Sequence, residues 1–309
     1  MCAGELCATL NDLGADLVRH CSLGAIRLGS ATEAFMKRLR EILRALLLRL
    51  AHATRVRLPT DSIPATWPEI VTRRVPLVGR LAPSDQDRLF RLMELFLRDV
   101  PMEGCGGLQL SEEIQVTIAA QASLLLLNMP HPRYNRARRI LVYPTSFVPK
   151  TVRSHRTGEL VPPDRMSAGQ AWQSGVIVLS WDDVQRGALA PHDGHNVVLH
   201  EFAHMLDVED GSFDGVPVLD TGSAFRTWAT LISAEFAEHV RKAELGEPTV
   251  LDPYGAENRA EFFAVATEAF FETPLQLRSD QPKLYELLMD FFKLDPASLL
   301  SSPRANGAV

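Results

Sequence analysis

Cysteine is scarce in this sequence. Cys2, Cys7, Cys21 and Cys105 are the only four in 309 residues, no pair has C-x-x-C spacing, and three lie within the first 21 positions. A disulfide staple there would hold little of a core, so a reduced, cytoplasmic protein is expected. A surplus of positive charge is also lacking: 32 Lys and Arg stand against 38 Asp and Glu, for a net charge of −6. With those basic residues scattered, a protein whose main task is to grip nucleic acid through its phosphates is excluded. Long apolar runs are missing too. The strongest early one, residues 42–50, is broken by Arg44 and Arg49, and no basic-apolar-small cleavage pattern precedes it. Neither a signal peptide nor a membrane-spanning helix is expected. There is no internal repeat and no low-complexity tract.

What is present is an ordinary globular composition, 46% hydrophobic and 23% charged, in a chain long enough for one large domain or two smaller ones. Residues 1–35 show little periodicity and read as a leader. From Met36, Leu39, Ile42, Leu43, Leu46, Leu47 and Leu50 recur at helical spacing between arginines. Such a basic amphipathic helix suits a membrane surface or partner, or an arm packed on its own domain. Residues 59–76, rich in Pro and Thr, read as a connector. Residues 84–87 (Ser-Asp-Gln-Asp) cap a predicted helix that runs to about Asp99, with Leu89, Leu92, Leu95 and Phe96 on one face. Ser111-Glu-Glu opens another that runs to Leu127. Residues 140–143 and 176–179 are β-rich and read as strands, with a long polar loop region over 144–170. Helices return over 196–208, 223–244, 258–272 and 281–292. The fold class is α+β, mainly helical with a small sheet. The domains expected are a leader and basic helix over 1–57, a catalytic unit over 58–300 with a helical N-terminal part, and a disordered tail over 301–309.

The segment that carries chemistry is Gly194-His-Asn-Val-Val-Leu-His200-Glu201-Phe-Ala-His204-Met-Leu-Asp207, which contains H-E-x-x-H in an apolar-periodic helix, with Asp193 available as N-cap. Histidines at i and i+4 project from one face, so their ring nitrogens can converge on one zinc ion and leave open coordination positions opposite. Glu201 points near that metal without binding it and can take a proton from a water attacking a carbonyl. The motif is short and needs context. Val197, Val198, Leu199, Phe202, Ala203 and Leu206 supply it, because they make the helix apolar on nearly every side. Two histidines and a glutamate buried there would carry an uncompensated desolvation cost unless a metal partnered them. On a solvated surface helix the same residues would need no metal.

A peptidase zinc needs a third protein ligand. Positions 207 and 210 are both Asp, so H-E-x-x-H-x-x-G-x-x-H is absent and the metzincin class is ruled out. Downstream, Asn258-Arg-Ala-Glu261-Phe-Phe-Ala-Val-Ala-Thr-Glu268 places two glutamates seven apart on one face of an apolar, aromatic helix. Asn258-x-x-Glu261 also has the form of a capping box, which would occupy Glu261 at the helix end. Spacing therefore leaves Glu261 and Glu268 equally open as the ligand, the other serving to orient a histidine. Glu257 reads as solvated, and His192 and His195 as residues ahead of the metal helix, not ligands.

Together, His200-Glu-Phe-Ala-His204-Met-Leu-Asp207, the preceding Gly175-Val-Ile-Val-Leu-Ser-Trp181, and Tyr254 followed by Arg259-Ala-Glu261-Phe-Phe-Ala-Val-Ala-Thr-Glu268 resemble the Mlc titration factor A family. These are cytoplasmic bacterial zinc peptidases whose catalytic domain is similar to that of anthrax lethal factor. The resemblance extends over about residues 58–298, including Ile140-Leu-Val-Tyr-Pro144, and leaves residues 1–57 outside the family pattern. It implies a zincin-like, gluzincin-like domain with His200, His204 and Glu261 as zinc ligands, Glu201 as general base, and Tyr254 as a hydrogen-bond donor to the oxyanion. Read from the residues alone, Tyr254 is a loop tyrosine after Pro253.

Two functions from different classes follow. One is a zinc metallopeptidase acting on peptide or protein substrates, with the aminopeptidase-like activity toward small peptides that the resemblance implies and a link to glucose uptake. The G-x-M-E-N segment that recognises a free N-terminus in other zinc aminopeptidases is missing. The other is a regulatory protein that sequesters an Mlc-like transcriptional repressor, with peptidase activity secondary and no direct contact to nucleic acid. The strand at 176–179 can serve the first function as a sheet edge to which an extended substrate adds. Its continuous apolar run equally suits an internal strand.

Overall fold

The computed structural model describes residues 63–130, 133–145, 152–153, 160–161, 175–189, 194–219 and 221–301. The leader and basic helix expected over 1–57, the tail beyond Ser301, and His192 and Asp193 lie outside them. In chain order the elements are helices α1 (Thr66–Arg74) and α2 (Pro83–Asp99), strand β1 (Met102–Gly104), helix α3 (Glu112–Leu125), and strands β2 (Arg139–Tyr143), β3 (Val152–Arg153), β4 (Leu160–Val161) and β5 (Val176–Ser180). Helices α4 (Trp181–Leu189), α5 (Val197–Asp207), α6 (Gly222–Leu245), α7 (Arg259–Glu272), α8 (Pro274–Asp280), α9 (Pro282–Phe292) and α10 (Pro296–Ser301) follow. The fold class is α+β, as the periodicities predict.

Local chemistry starts most of these helices. The Ser111 hydroxyl accepts the N–H of Ile114 at the head of α3, and Glu112 and Glu113 sit in the first turn, where the helix dipole favours them. Helix α2 begins differently from the expected cap at residues 84–87: Pro83 occupies its first turn after Ala82, which makes no side-chain cap. Proline suits that position because the missing N–H would have had no partner inside the helix. The stripe of Leu89, Leu92, Leu95 and Phe96 is buried as predicted.

The predicted connector over 59–76 is corrected. Its second half folds as α1, which buries Trp67, Ile70 and Val71. The prolines at 68 and 76 fall in the first turn and beyond the end, where they break nothing. Part of the predicted polar loop over 144–170 is also corrected, since β3 and β4 pair antiparallel, Val152 opposite Val161.

The main sheet is parallel, in the order β1-β2-β5. Register places Ile140 beside Ile177 and Val142 beside Leu179, and all four are buried while Val178, between Ile177 and Leu179, is 49% exposed. One face therefore packs on the core and the other does not. Among the described residues β5 has a single sheet neighbour, β2. Gly175 begins it at φ +74, and a Cβ there would lie 2.1 Å from the Arg136 carbonyl oxygen, so only glycine lets the two strands start side by side.

Helices α5 and α7 pack against each other at the centre. Phe202 of α5 meets Phe96 edge-on at 5.3 Å and Tyr134 at 4.7 Å. Phe263 of α7 meets Trp228 of α6 edge-on at 5.6 Å. These rings, nearly all fully buried, fix how the two helices cross. Among the described residues no helix is long and apolar enough to cross a membrane.

Candidate metal centre

Asn196, not Asp193, caps the H-E-x-x-H helix: its side-chain oxygen accepts the N–H of Leu199 at 3.1 Å. Helix α5 then carries His200, Glu201 and His204 with Val198, Leu199, Phe202, Ala203, Met205 and Leu206 buried around them. The i, i+4 spacing brings the two Nε2 atoms to 3.1 Å of each other. From α7, Glu261 Oε2 lies 3.1 Å from His200 Nε2 and 3.2 Å from His204 Nε2. These three atoms form a closed triangle offered by two helices, a group that could hold a metal ion.

The capping-box reading of Glu261 fails on its reciprocal half. Asn258 Oδ1 accepts the N–H groups of Ala260 and Glu261 and so caps α7, but the Glu261 carboxylate turns to the histidines. The side chain is 1% exposed and its Oε1 has no hydrogen-bond partner. A buried carboxylate oxygen left without a donor is costly, and a cation beside it removes that cost.

Glu268 stands on the other side of His200. Its Oε1 lies 2.7 Å from His200 Nδ1 and its Oε2 accepts the backbone N–H of Asn196 at 2.6 Å. Both carboxylate oxygens are thus engaged away from the triangle. A carboxylate beside Nδ1 favours a proton on that nitrogen, and the contact turns Nε2 toward His204 and Glu261. Burial works against charge on His200, and the Glu261 and Glu268 carboxylates outweigh it, so its pKa is held well above the ordinary imidazole value. Burial likewise pushes Glu261 up while His200 and His204 pull it further down, below the usual carboxylate range. An anionic carboxylate facing two imidazoles is a site that attracts positive charge, and its N, N, O donor set suits zinc.

Tyr254 lies beside His200. It is 45% exposed, its ring centroid is 6.1 Å from that of His200, and it rides on a short 3-10 turn, Pro253–Ala256. Asp252 starts the turn by accepting the N–H of Tyr254 at 2.7 Å, and the Asp252 carbonyl oxygen lies 3.0 Å from His239 Nε2 of α6. Burial, then the charges of Glu261, Glu257 and Glu201, push the phenol up to about 12, so it stays protonated near neutrality. Glu201, half-buried on α5, is near enough for its charge to act on both His200 and Tyr254. Glu257 is exposed. His195 is exposed and pairs with Asp252 at 3.5 Å, outside the triangle.

Asp207 has a role that its place in the sequence does not reveal. The side chain is fully buried and accepts the N–H groups of Gly215 and Val216 at 3.1 and 2.9 Å. Gly215 in turn, at φ +75, lies where a Cβ would be 2.3 Å from the Arg259 carbonyl oxygen, and its own carbonyl accepts Trp228 Nε1 at 3.0 Å. The loop after α5 is thereby tied to the start of α7, and it sets Phe213 against the His204 ring at 5.1 Å. The Asp-x₇-Gly spacing was visible, but only contact shows its purpose.

A sequence profile described as Glucose-regulated metallo-peptidase M90 matches residues 49–293. An uncharacterized protein of Synechocystis sp. is 36% identical over 235 residues, covering 76% of this chain and 86% of that protein. Mlc titration factor A of Pectobacterium atrosepticum is 30% identical over 234 residues, covering 75% of this chain and 88% of its own length. The protein of the same name from Salmonella gallinarum is 30% identical over 244 residues, 78% of this chain and 91% of its own. With a His-His-Glu group on two packed helices and a profile match over most of its length, the chain belongs to the glucose-regulated metallo-peptidase M90 family.

Proposed function

We propose that this protein is a cytoplasmic zinc metallopeptidase in which His200, His204 and Glu261 hold the metal, Glu201 is the general base and Tyr254 donates to the oxyanion, within a peptidase unit over residues 58–300. The observation that carries the reading is the convergence of the two Nε2 atoms and Glu261 Oε2 within 3.1–3.2 Å of one another. Zinc bound there supplies positive charge that acidifies a water and polarises the scissile carbonyl. Glu268 keeps the His200 proton on Nδ1 and so leaves Nε2 free to ligate. Glu201 takes the proton from the attacking water and returns it to the departing amine. The Tyr254 phenol, protonated near neutrality, donates to the anion developing on the attacked oxygen. Aminopeptidase-like cleavage of small peptides is the finer expectation, carried by family resemblance alone.

Metal analysis of the purified protein tests the reading. About one zinc per chain is expected, because two imidazoles and one carboxylate fill the protein positions of an open catalytic site. Chelation is expected to abolish peptide hydrolysis and added zinc to restore it. A chain that neither carries nor tightly binds zinc would sink the proposal.

Tyr254→Phe removes one hydroxyl and little volume. Zinc content should be unchanged while kcat falls by about 10²-fold or more, the size of losing one oxyanion donor, with little change in KM. An unchanged kcat returns Tyr254 to the status of a loop tyrosine.

The names of the Pectobacterium and Salmonella relatives favour a second reading, in which the protein binds and sequesters an Mlc-like transcriptional repressor and proteolysis is secondary.

A further inference from the structure

Behind the metal group lies a second buried polar cluster that metal binding and water activation do not use directly. Asn196 is 4% exposed, Gln121 1%, Glu268 6% and Glu272 7%. They come from two helices and the cap of a third: Gln121 from α3, Glu268 and Glu272 one turn apart on α7, and Asn196 at the head of α5.

Resting on the metallopeptidase reading, we infer that Asn196 is a positioning residue for the metal centre, linking Glu272 and Gln121 to Glu268 and through it to His200. Every polar group of Asn196 is engaged. Its backbone N–H donates to Glu268 Oε2 at 2.6 Å, and its carbonyl accepts the N–H of His200 at 2.9 Å. Its Oδ1 accepts the N–H of Leu199. Its Nδ2 donates to Gln121 Oε1 at 2.7 Å and to Glu272 Oε1 at 2.9 Å, with a longer contact of 3.5 Å to the Gly187 carbonyl. Gln121 is oriented by its own donation to the Thr117 carbonyl, which turns its oxygen toward Asn196. Helix α4 closes the remaining side, since a Cβ on Gly187 would lie 3.0 Å from the Asn196 Cα.

Capping alone does not account for this residue. A cap uses only the side-chain oxygen, and Ser, Asp and Asn serve nearly equally well. The amide nitrogen is what distinguishes asparagine here, and it is spent on two buried acceptors. Two carboxylates one turn apart on α7 would otherwise sit together out of water, and Asn196 gives each of them an N–H. Glu268 holds the His200 ring through one oxygen and Asn196 through the other, so a shift of Asn196 moves Glu268 and rotates the ring that must point at the metal.

The test is zinc affinity of the full chain, measured by competition with a chelator after metal removal, with circular dichroism as the check on fold. Asn196→Asp keeps the cap and the backbone donor but sets a carboxylate against Gln121 Oε1 and Glu272. Its zinc Kd should rise about 10- to 100-fold with helix content retained. Adding Glu272→Gln supplies an amide that can donate to the new carboxylate, which remakes the link with its direction reversed, and the double variant should return to within a few-fold of wild type. Wild-type affinity in Asn196→Asp, or no recovery in the double variant, would overturn the inference and leave Asn196 as a helix cap. Should Asn196→Asp yield no folded protein, Glu272→Leu, which leaves the cap intact, takes its place: a raised Kd supports the link and an unchanged one refutes it. A wild-type chain that takes up no zinc fails the metallopeptidase reading as well, and is told apart from the other outcomes by that measurement alone.

Discussion

Glu201→Gln is expected to retain zinc and to lose turnover by about 10²- to 10⁴-fold, the range for removing a positioned general base. The substitution keeps shape and volume and changes one carboxylate oxygen to an amide nitrogen. Glu201 is not among the three groups that converge as a candidate metal site, so metal content should stay near wild type while kcat and kcat/KM fall together. Zinc analysis beside peptide hydrolysis checks both halves. The same variant separates the two functional readings: binding of an Mlc-like repressor should survive it, whereas any effect that depends on proteolysis should not. Equal peptidase activity in wild type and variant would remove Glu201 from the mechanism.

Glu261→Ala and Glu268→Ala should part company. Glu261 Oε2 faces both Nε2 atoms, so its removal takes away one of three protein ligands, and zinc should be lost on dialysis. Glu268 faces the opposite nitrogen of His200. Without it the chain should still load with zinc, and activity should fall by about 10- to 100-fold. A stability cost should accompany the loss of Glu268, because the buried Asn196 N–H and His200 Nδ1 each lose an acceptor, at about 1–3 kcal/mol per group. Thermal melting of both variants and zinc content after dialysis decide the matter. Should Glu268→Ala lose the metal while Glu261→Ala keeps it, the two roles are reversed.

Much of this architecture is legible one element at a time. The stripe on α2, the Ser111 cap, the strands β2 and β5 and the helices α5, α7 and α9 all announce themselves within windows of a dozen residues, because their periodicity or cap is local. Elements whose stability comes from elsewhere do not. Helix α1 is masked by proline and threonine, and Trp67, Ile70 and Val71 make it a helix by finding a core to enter. Strand β1 is three residues long in a glycine-rich stretch and exists because β2 pairs with it. Aspartate is a good cap and Asp193 stands at a plausible place for one, yet the cap of α5 is Asn196, whose partners on α3 and α7 no local pattern encodes.

By itself the sequence determined that two imidazoles and a glutamate share one apolar helix and that a second apolar helix carries glutamates at 261 and 268. Spacing within a helix fixes angles about its own axis, which is why the His200–His204 pairing follows from four residues of separation. It says nothing about where one helix crosses another. That crossing is set by Phe202, Phe262 and Phe263 packing among rings from α2, α6 and the segment before β2. Only this packing decides that Glu261 meets both Nε2 atoms while Glu268, seven residues on, meets the other side of His200.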